Sequence, residues 1–105
     1  MAPAPVDAVF NALADPTRRH VLQALASRDS VTATGLAAEL PISRQAVSKH
    51  LAALSGADLV SSDRVGRETI YSLRPEPLGD AAKWIESVGA EWDQRLGKLK
   101  RSLER

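Results

Sequence analysis

The sequence predicts a mainly α-helical fold with one small β-hairpin, and three stretches support that expectation. Leu36 to Leu54 reads as two short helices broken at Pro41, Leu59 to Leu73 as two strands about Val65-Gly66-Arg67, and Leu78 to Leu103 as a long helix with an apolar stripe. The 105 residues suffice for one domain, 1–105, with a modest core. Hydrophobic residues make up 44% of the chain and charged residues 26%, a balance that argues against disorder.

After Met1-Ala2-Pro3-Ala4-Pro5, the residues Val6, Val9, Phe10 and Leu13 recur at helical spacing and mark a short amphipathic helix. Asp15-Pro16 reads as an N-cap followed by proline at the first helical position, where no N–H is needed and the fixed φ suits a helix. The helix it opens runs through Val21, Leu22 and Leu25 to about Ser27, with Arg18, Arg19 and His20 in its first half, where a solvated face is favoured over phosphate contact. Arg28-Asp29-Ser30 turns the chain, Val31 adds a brief strand, and Thr32 or Thr34 caps the next helix.

A helix-turn-helix pattern follows over about 33–55. Leu36, Ala37 and Leu40 repeat at helical spacing, Pro41 cannot continue that helix, and Ser43 offers an oxygen to the free N–H groups of a new one. Ile42 and Val47 flank this cap at the spacing of a hydrophobic staple. Val47, Leu51 and Leu54 form one apolar face that would sit on the first helix and the core. At about 100° per residue, Gln45, Lys49 and Ala52 lie nearly opposite Val47, with Ser48 to one side and Arg44 in the first turn. Small and hydrogen-bonding residues on such a face suit the DNA major groove; an ordinary solvated face in a small bundle is the competing explanation.

Ser55-Gly56-Ala57-Asp58 ends the second helix of the pair, and a hairpin over about 59–73 follows. In it Thr69, Tyr71 and Leu73 alternate onto one face, and Glu68, Ile70 and Ser72 onto the other. Arg64 and Arg67 flank the tip and suit phosphate or minor-groove contact, against the simpler case of a solvated tip. A helix-turn-helix followed by such a hairpin is a winged helix. Arg74-Pro75-Glu76-Pro77 then punctuates the chain before a terminal helix over about 77–103. Leu78, Ile85, Trp92 and Leu99 recur every seven residues, Ala81 and Val88 fall between them, and Ala82, Leu96 and Leu103 widen the stripe. A domain of this size covers about half of so long a stripe with its own core, so the remainder is expected to meet a second copy.

Net charge is +1, low for a nucleic-acid binder, yet from Pro41 to Arg67 the basic Arg44, Lys49, Arg64 and Arg67 outweigh Asp58 and Asp63. The absence of cysteine excludes disulfides and thiolate metal sites. No apolar run approaches the roughly 20 residues of a transmembrane helix, and the N-terminus lacks the charged and apolar regions of a signal peptide, so a cytoplasmic protein without membrane contact is expected. No nucleophile with a base partner, glycine-rich phosphate loop or paired carboxylate is evident, so the chain is not expected to be an enzyme.

Taken in order, Ala14-Asp15-Pro16-Thr17-Arg18-Arg19, Leu36-Ala37, Ser43 to Leu54 with its Ser48-Lys49-His50-Leu51 centre, Ala57-Asp58-Leu59-Val60, and Gly66-Arg67 leading to Tyr71-Ser72-Leu73 resemble the ArsR/SmtB-type winged helix-turn-helix transcriptional regulators. The resemblance covers nearly the whole chain. It implies a dimeric prokaryotic repressor of about five helices and a two-stranded wing, with the terminal helices as dimer interface. Val6, Phe10, Leu78, Ile85, Val88, Trp92, Leu96 and Leu99 are the candidates for that interface. The chain departs from the metal-sensing members. Their paired cysteines would fall in Val31-Thr32-Ala33-Thr34, which has none, and no histidine stands between Leu78 and Arg105. His20 and His50 are the only histidines; His50 occupies a position the family fills with histidine, implying a DNA-proximal or packing role, and His20 is a helix-surface residue. The metal-free branch is therefore implied, with no metal site and no cofactor.

The expected function is a sequence-specific DNA-binding regulator, acting as a dimeric repressor on a pseudo-palindromic operator in double-stranded DNA. Ser43, Arg44, Gln45, Ser48, Lys49 and His50 are the candidates at the major groove, with Arg64 and Arg67 on the wing. The alternative is a winged-helix module for protein association without DNA binding, and the low net charge favours it.

Overall fold

Three helices begin where the sequence supplies an oxygen to cap them. In the computed structural model, which describes residues 5–103, the elements are α1 (Pro5–Leu13), α2 (Pro16–Ala26), α3 (Ala33–Ala37), α4 (Arg44–Gly56), β1 (Val60–Val65), β2 (Glu68–Leu73) and α5 (Glu76–Leu103). The Asp15 carboxylate accepts from the N–H groups of Thr17 at 2.8 Å and Arg18 at 3.2 Å, opening α2 with Pro16 at its first position. Thr32, of the two threonines considered, caps α3 through the Gly35 N–H at 3.0 Å. Ser43 caps α4 through the Ala46 N–H at 3.1 Å, and Ile42 packs half-buried on the core beside the fully buried Val47.

Helix ends show two features that the linear pattern did not. At the close of α4, the Leu59 N–H reaches back to the Leu54 carbonyl at 3.0 Å, and Asp58, at φ 59°, takes the left-handed position. Asparagine and aspartate tolerate that conformation because their short side chains bond locally. Gly56 is simply the last residue of the helix. At the end of α1, the Arg19 guanidinium donates to the Leu13 carbonyl at 2.6 Å and that of Arg18 to the Ala12 carbonyl at 3.5 Å. Arg18 and Arg19 are thus tied to the carbonyls that α1 leaves without helical partners, with Arg19 still exposed and Arg18 half-buried. His20 is exposed.

The core is assembled from α1 to α4 and the base of the hairpin. Val9, Val21, Leu25, Leu36, Val47, Leu51, Leu54 and Leu59 are all within 1% of complete burial. β1 and β2 pair antiparallel from Val60 opposite Leu73 to Val65 opposite Glu68, with Gly66 at φ +64° in the turn. Val31 adds one bridge to this sheet, its N–H and carbonyl both bonded to Tyr71, at 3.1 and 2.8 Å. Gly35 allows that approach: a Cβ there would lie 2.9 Å from Val31 Cγ2. Arg28 and Glu39 form an exposed ion pair that joins the turn after α2 to the end of α3.

α5 behaves differently along its length. Leu78 and the buried Ala81 sit on the body, and the Trp84 ring meets Phe10 of α1 edge-on at 5.5 Å. Beyond this the helix projects, giving extents of 69 × 31 × 24 Å and a radius of gyration of 18.5 Å, against about 13 Å for a compact domain of ~100 residues. No described helix is long and apolar enough to cross a membrane.

Candidate nucleic-acid interface

α4 presents its polar side to solvent because its apolar side is fully used. With Val47, Leu51 and Leu54 inside, Gln45 and Lys49 stand exposed on the opposite face, as does Arg44 at the first helical position. Ser43 is exposed too, but its hydroxyl is engaged in capping the helix. Ser48 is half-buried toward the wing.

The hairpin brings its basic tip back beside this helix. Arg44 and Ser48 of α4, Arg64, Arg67, Glu68, Thr69 and Tyr71 of the wing, and Thr32, Ala33 and Thr34 at the start of α3 line one open cleft of about 380 Å³. Arg64 is held in place at its rim, since its Nε donates to the Gly66 carbonyl at 3.3 Å. The side chains of Arg44 and Arg67 make no hydrogen bond or ion pair among the described residues. A guanidinium in that state is a free fork of donors suited to phosphate oxygens or to a guanine edge. Cations from two elements far apart in sequence therefore converge on one groove. The threonines that complete the lining are not among the residues expected at DNA, although the cross-strand pair Arg64–Thr69 places Thr69 on the arginine's face.

His50 is placed apart from this cleft. Its ring is half-buried, and Nδ1 is enclosed with no hydrogen-bond partner among the described residues. The nearby Asp15 carboxyl is held below its ordinary 3.8 chiefly by the Arg18 N–H, against some desolvation, and further by the Thr17 N–H and by electrostatic influence from the His50 and Arg18 side chains. His50 thus lies near the capped start of α2.

The candidate interface residues divide in two. Val6, Phe10 and Leu78 are half-buried against the chain's own core, and Val88 is half-buried. Ile85, Trp92, Leu96 and Leu99 are 54–56% exposed, and Trp84, which lies outside the heptad stripe, is 52% exposed alongside its contact to Phe10. Among the described residues, no group of three or more His, Cys, Asp or Glu is arranged to hold a metal ion.

Residues 13–63, from the end of α1 into β1, match the family model described as a helix-turn-helix domain. The chain is 41% identical over 87 residues to the HTH-type transcriptional regulator YuzN of Bacillus subtilis, covering 76% of this chain and 95% of that one. It is 39% identical over 77 residues to the transcriptional repressor SdpR of the same organism, covering 73% and 84%. Among solved structures it is similar to an ArsR-like transcriptional regulator from Rhodococcus sp. RHA1, with a TM-score of 0.80, 43% identity and coverage of 92% and 91%.

Proposed function

Because the chain belongs to the ArsR/SmtB family of winged helix-turn-helix regulators, which act on transcription by binding DNA rather than by catalysis, we propose that it is a dimeric repressor occupying a pseudo-palindromic operator. What supports this most is the cleft where Arg44 of α4 and Arg64 and Arg67 of the wing line one surface. α4 enters the major groove with Gln45 and Lys49 at base edges, where the glutamine amide pairs in bidentate fashion with adenine and the lysine reaches guanine or phosphate. Ser43 and Ser48 flank them. Arg44, Arg64 and Arg67 hold the backbone where it passes from the major groove to the wing, and fix the register in which base edges are read. His50 supports α4 from behind.

Two copies joined through the exposed face of α5 present two α4 helices to half-sites about one helical turn apart. The protein acts in the cytoplasm on chromosomal DNA and needs no cofactor for this. Binding of duplex fragments measured by anisotropy across salt concentrations tests the reading. Arg67→Ala weakens all sequences similarly, and its log–log salt slope is shallower by about 1 for each phosphate that a subunit no longer neutralises. An unchanged affinity and slope places the wing away from DNA. A folded protein that binds no duplex at low salt favours the protein-association module instead.

A further inference from the structure

We propose that Thr69 is a DNA-contacting residue, whose hydroxyl donates to a backbone phosphate beside Arg64 and adds an uncharged contact to the grip of the wing. The inference rests on the reading that the cleft between α4 and the wing takes the DNA backbone. The hairpin register carries it. Val60 pairs with Leu73, Ser62 with Tyr71 and Arg64 with Thr69, so these three pairs share one face of the two-stranded sheet. At the base of the wing that face is turned to the body, since Val60 is buried and Tyr71 and Leu73 pack half-buried on the core. Nearer the tip, the same face carries Arg64 and Thr69 beyond the core and onto the cleft, which they line together with Arg44, Arg67 and Thr34.

Thr69 is half-buried, and its hydroxyl makes no hydrogen bond among the described residues. Directly paired side chains in an antiparallel ladder stand about 4.5–5.5 Å apart at Cβ, so the hydroxyl starts beside the arginine. Arg64 spends its Nε on the Gly66 carbonyl, which leaves its terminal nitrogens as the donors open to a ligand. A guanidinium cannot accept a hydrogen bond, so the arginines around Thr69 offer its O–H nothing to donate to. A ligand that fills this cleft displaces water from the hydroxyl, and leaving it unpaired there carries a desolvation cost. A phosphate removes that cost, because its oxygens accept from the hydroxyl and the guanidinium together. Such a contact fixes register and reads no base. Being uncharged, it also neutralises no phosphate and releases no counterion, so it adds affinity without adding salt dependence, which sets it apart from every arginine of the cleft.

The test compares wild type, Thr69→Val and Thr69→Ser by anisotropy across salt concentrations, on a random-sequence duplex and on an operator selected from random DNA. Valine keeps the branched shape that suits a strand while removing the hydroxyl, and serine keeps the hydroxyl. Thr69→Val is expected to bind both duplexes about 3- to 10-fold more weakly per subunit, with the log–log salt slope and the sequence preference of wild type, and Thr69→Ser recovers most of the affinity. A slope shallower by about 1 per subunit overturns the proposal, because Thr69 would then be acting through an arginine. Thr69→Ser as weak as Thr69→Val overturns it by showing that shape matters and the hydroxyl does not, and a loss confined to the operator overturns it by showing base reading. A wild type that binds neither duplex overturns this inference and the DNA reading together, whereas one that binds both with Thr69→Val indistinguishable from it overturns this inference alone. Binding is measured well below the lowest thermal midpoint of the three proteins, so that a loss of affinity is not a loss of fold.

Discussion

α4 and the outer part of α5 are written in the same code and end in opposite environments. In α4, Val47, Leu51 and Leu54 repeat on one face and are fully buried; in α5, Ile85, Trp92, Leu96 and Leu99 repeat on one face and remain more than half exposed. Both stripes satisfy the same helical periodicity. The difference lies in what stands opposite: α2, α3 and the hairpin close over α4, whereas α5 runs past α1 and out of the body. Apolar spacing therefore marks a face without saying whether this chain covers it.

Truncating a residue of each stripe sharpens that contrast most. Leu51→Ala is expected to destabilise the fold by about 2–5 kcal/mol through reduced burial and the cavity left behind, while Leu96→Ala, at an exposed position, changes monomer stability by less than about 0.5 kcal/mol. Urea unfolding of dilute protein checks both, and comparable losses would show that α5 is part of the monomer core after all. Next comes Leu96→Arg, which places a charge in the outer stripe. A folded monomer is expected by sedimentation, with operator affinity reduced on the order of 10²-fold because each half-site is then held alone. A variant that stays dimeric, or a monomer that binds the full operator as tightly as wild type, would break the assignment of this face to a second copy.

The polar side of α4 gives a smaller and more local effect. Gln45→Ala should lose about 1–3 kcal/mol at one base step per half-site and relax the preference there, read from binding across a site library. An unchanged preference removes Gln45 from base reading. The smallest expected effect is at the capped start of α2. Since the Asp15 carboxyl is held below its ordinary 3.8, its stabilising contribution is complete above that value and disappears as pH falls through the lowered one. Asp15→Asn keeps a capping oxygen but cannot titrate, so its stability between about pH 5 and 2 should fall less steeply than that of wild type. Parallel acid limbs would show that the carboxylate charge contributes nothing there.

Much of this was legible in the residues. Ser43 and the Ile42–Val47 pair locate the start of α4, because capping acts over a few positions, whereas α3 stops at Ala37, ahead of the break expected at Pro41. Asp15-Pro16 does the same for α2, and the alternation around Val65-Gly66-Arg67 yields the hairpin. Features that bridge segments were not legible. The bonds from Arg18 and Arg19 to the carbonyls of α1 depend on the angle at which two helices meet, and the choice of Asp58 over Gly56 as the left-handed residue depends on where Leu59 must turn into the core. In the cleft, Thr32, Thr34 and Glu68 became neighbours of Arg44 only when the hairpin folded back beside α4.

By itself, then, the sequence determined the order of the helices, the caps that start them, the polar face of α4 and the apolar stripe of α5, since each rests on interactions within a turn or two of chain. Only the tertiary structure decided that arginines from α4 and the wing would share one groove, that His50 would lie near Asp15, and that the outer half of α5 would stay uncovered by its own chain. Those outcomes depend on crossing angles and on the distance between elements, which are fixed when the buried faces pack together and are not encoded at any single position.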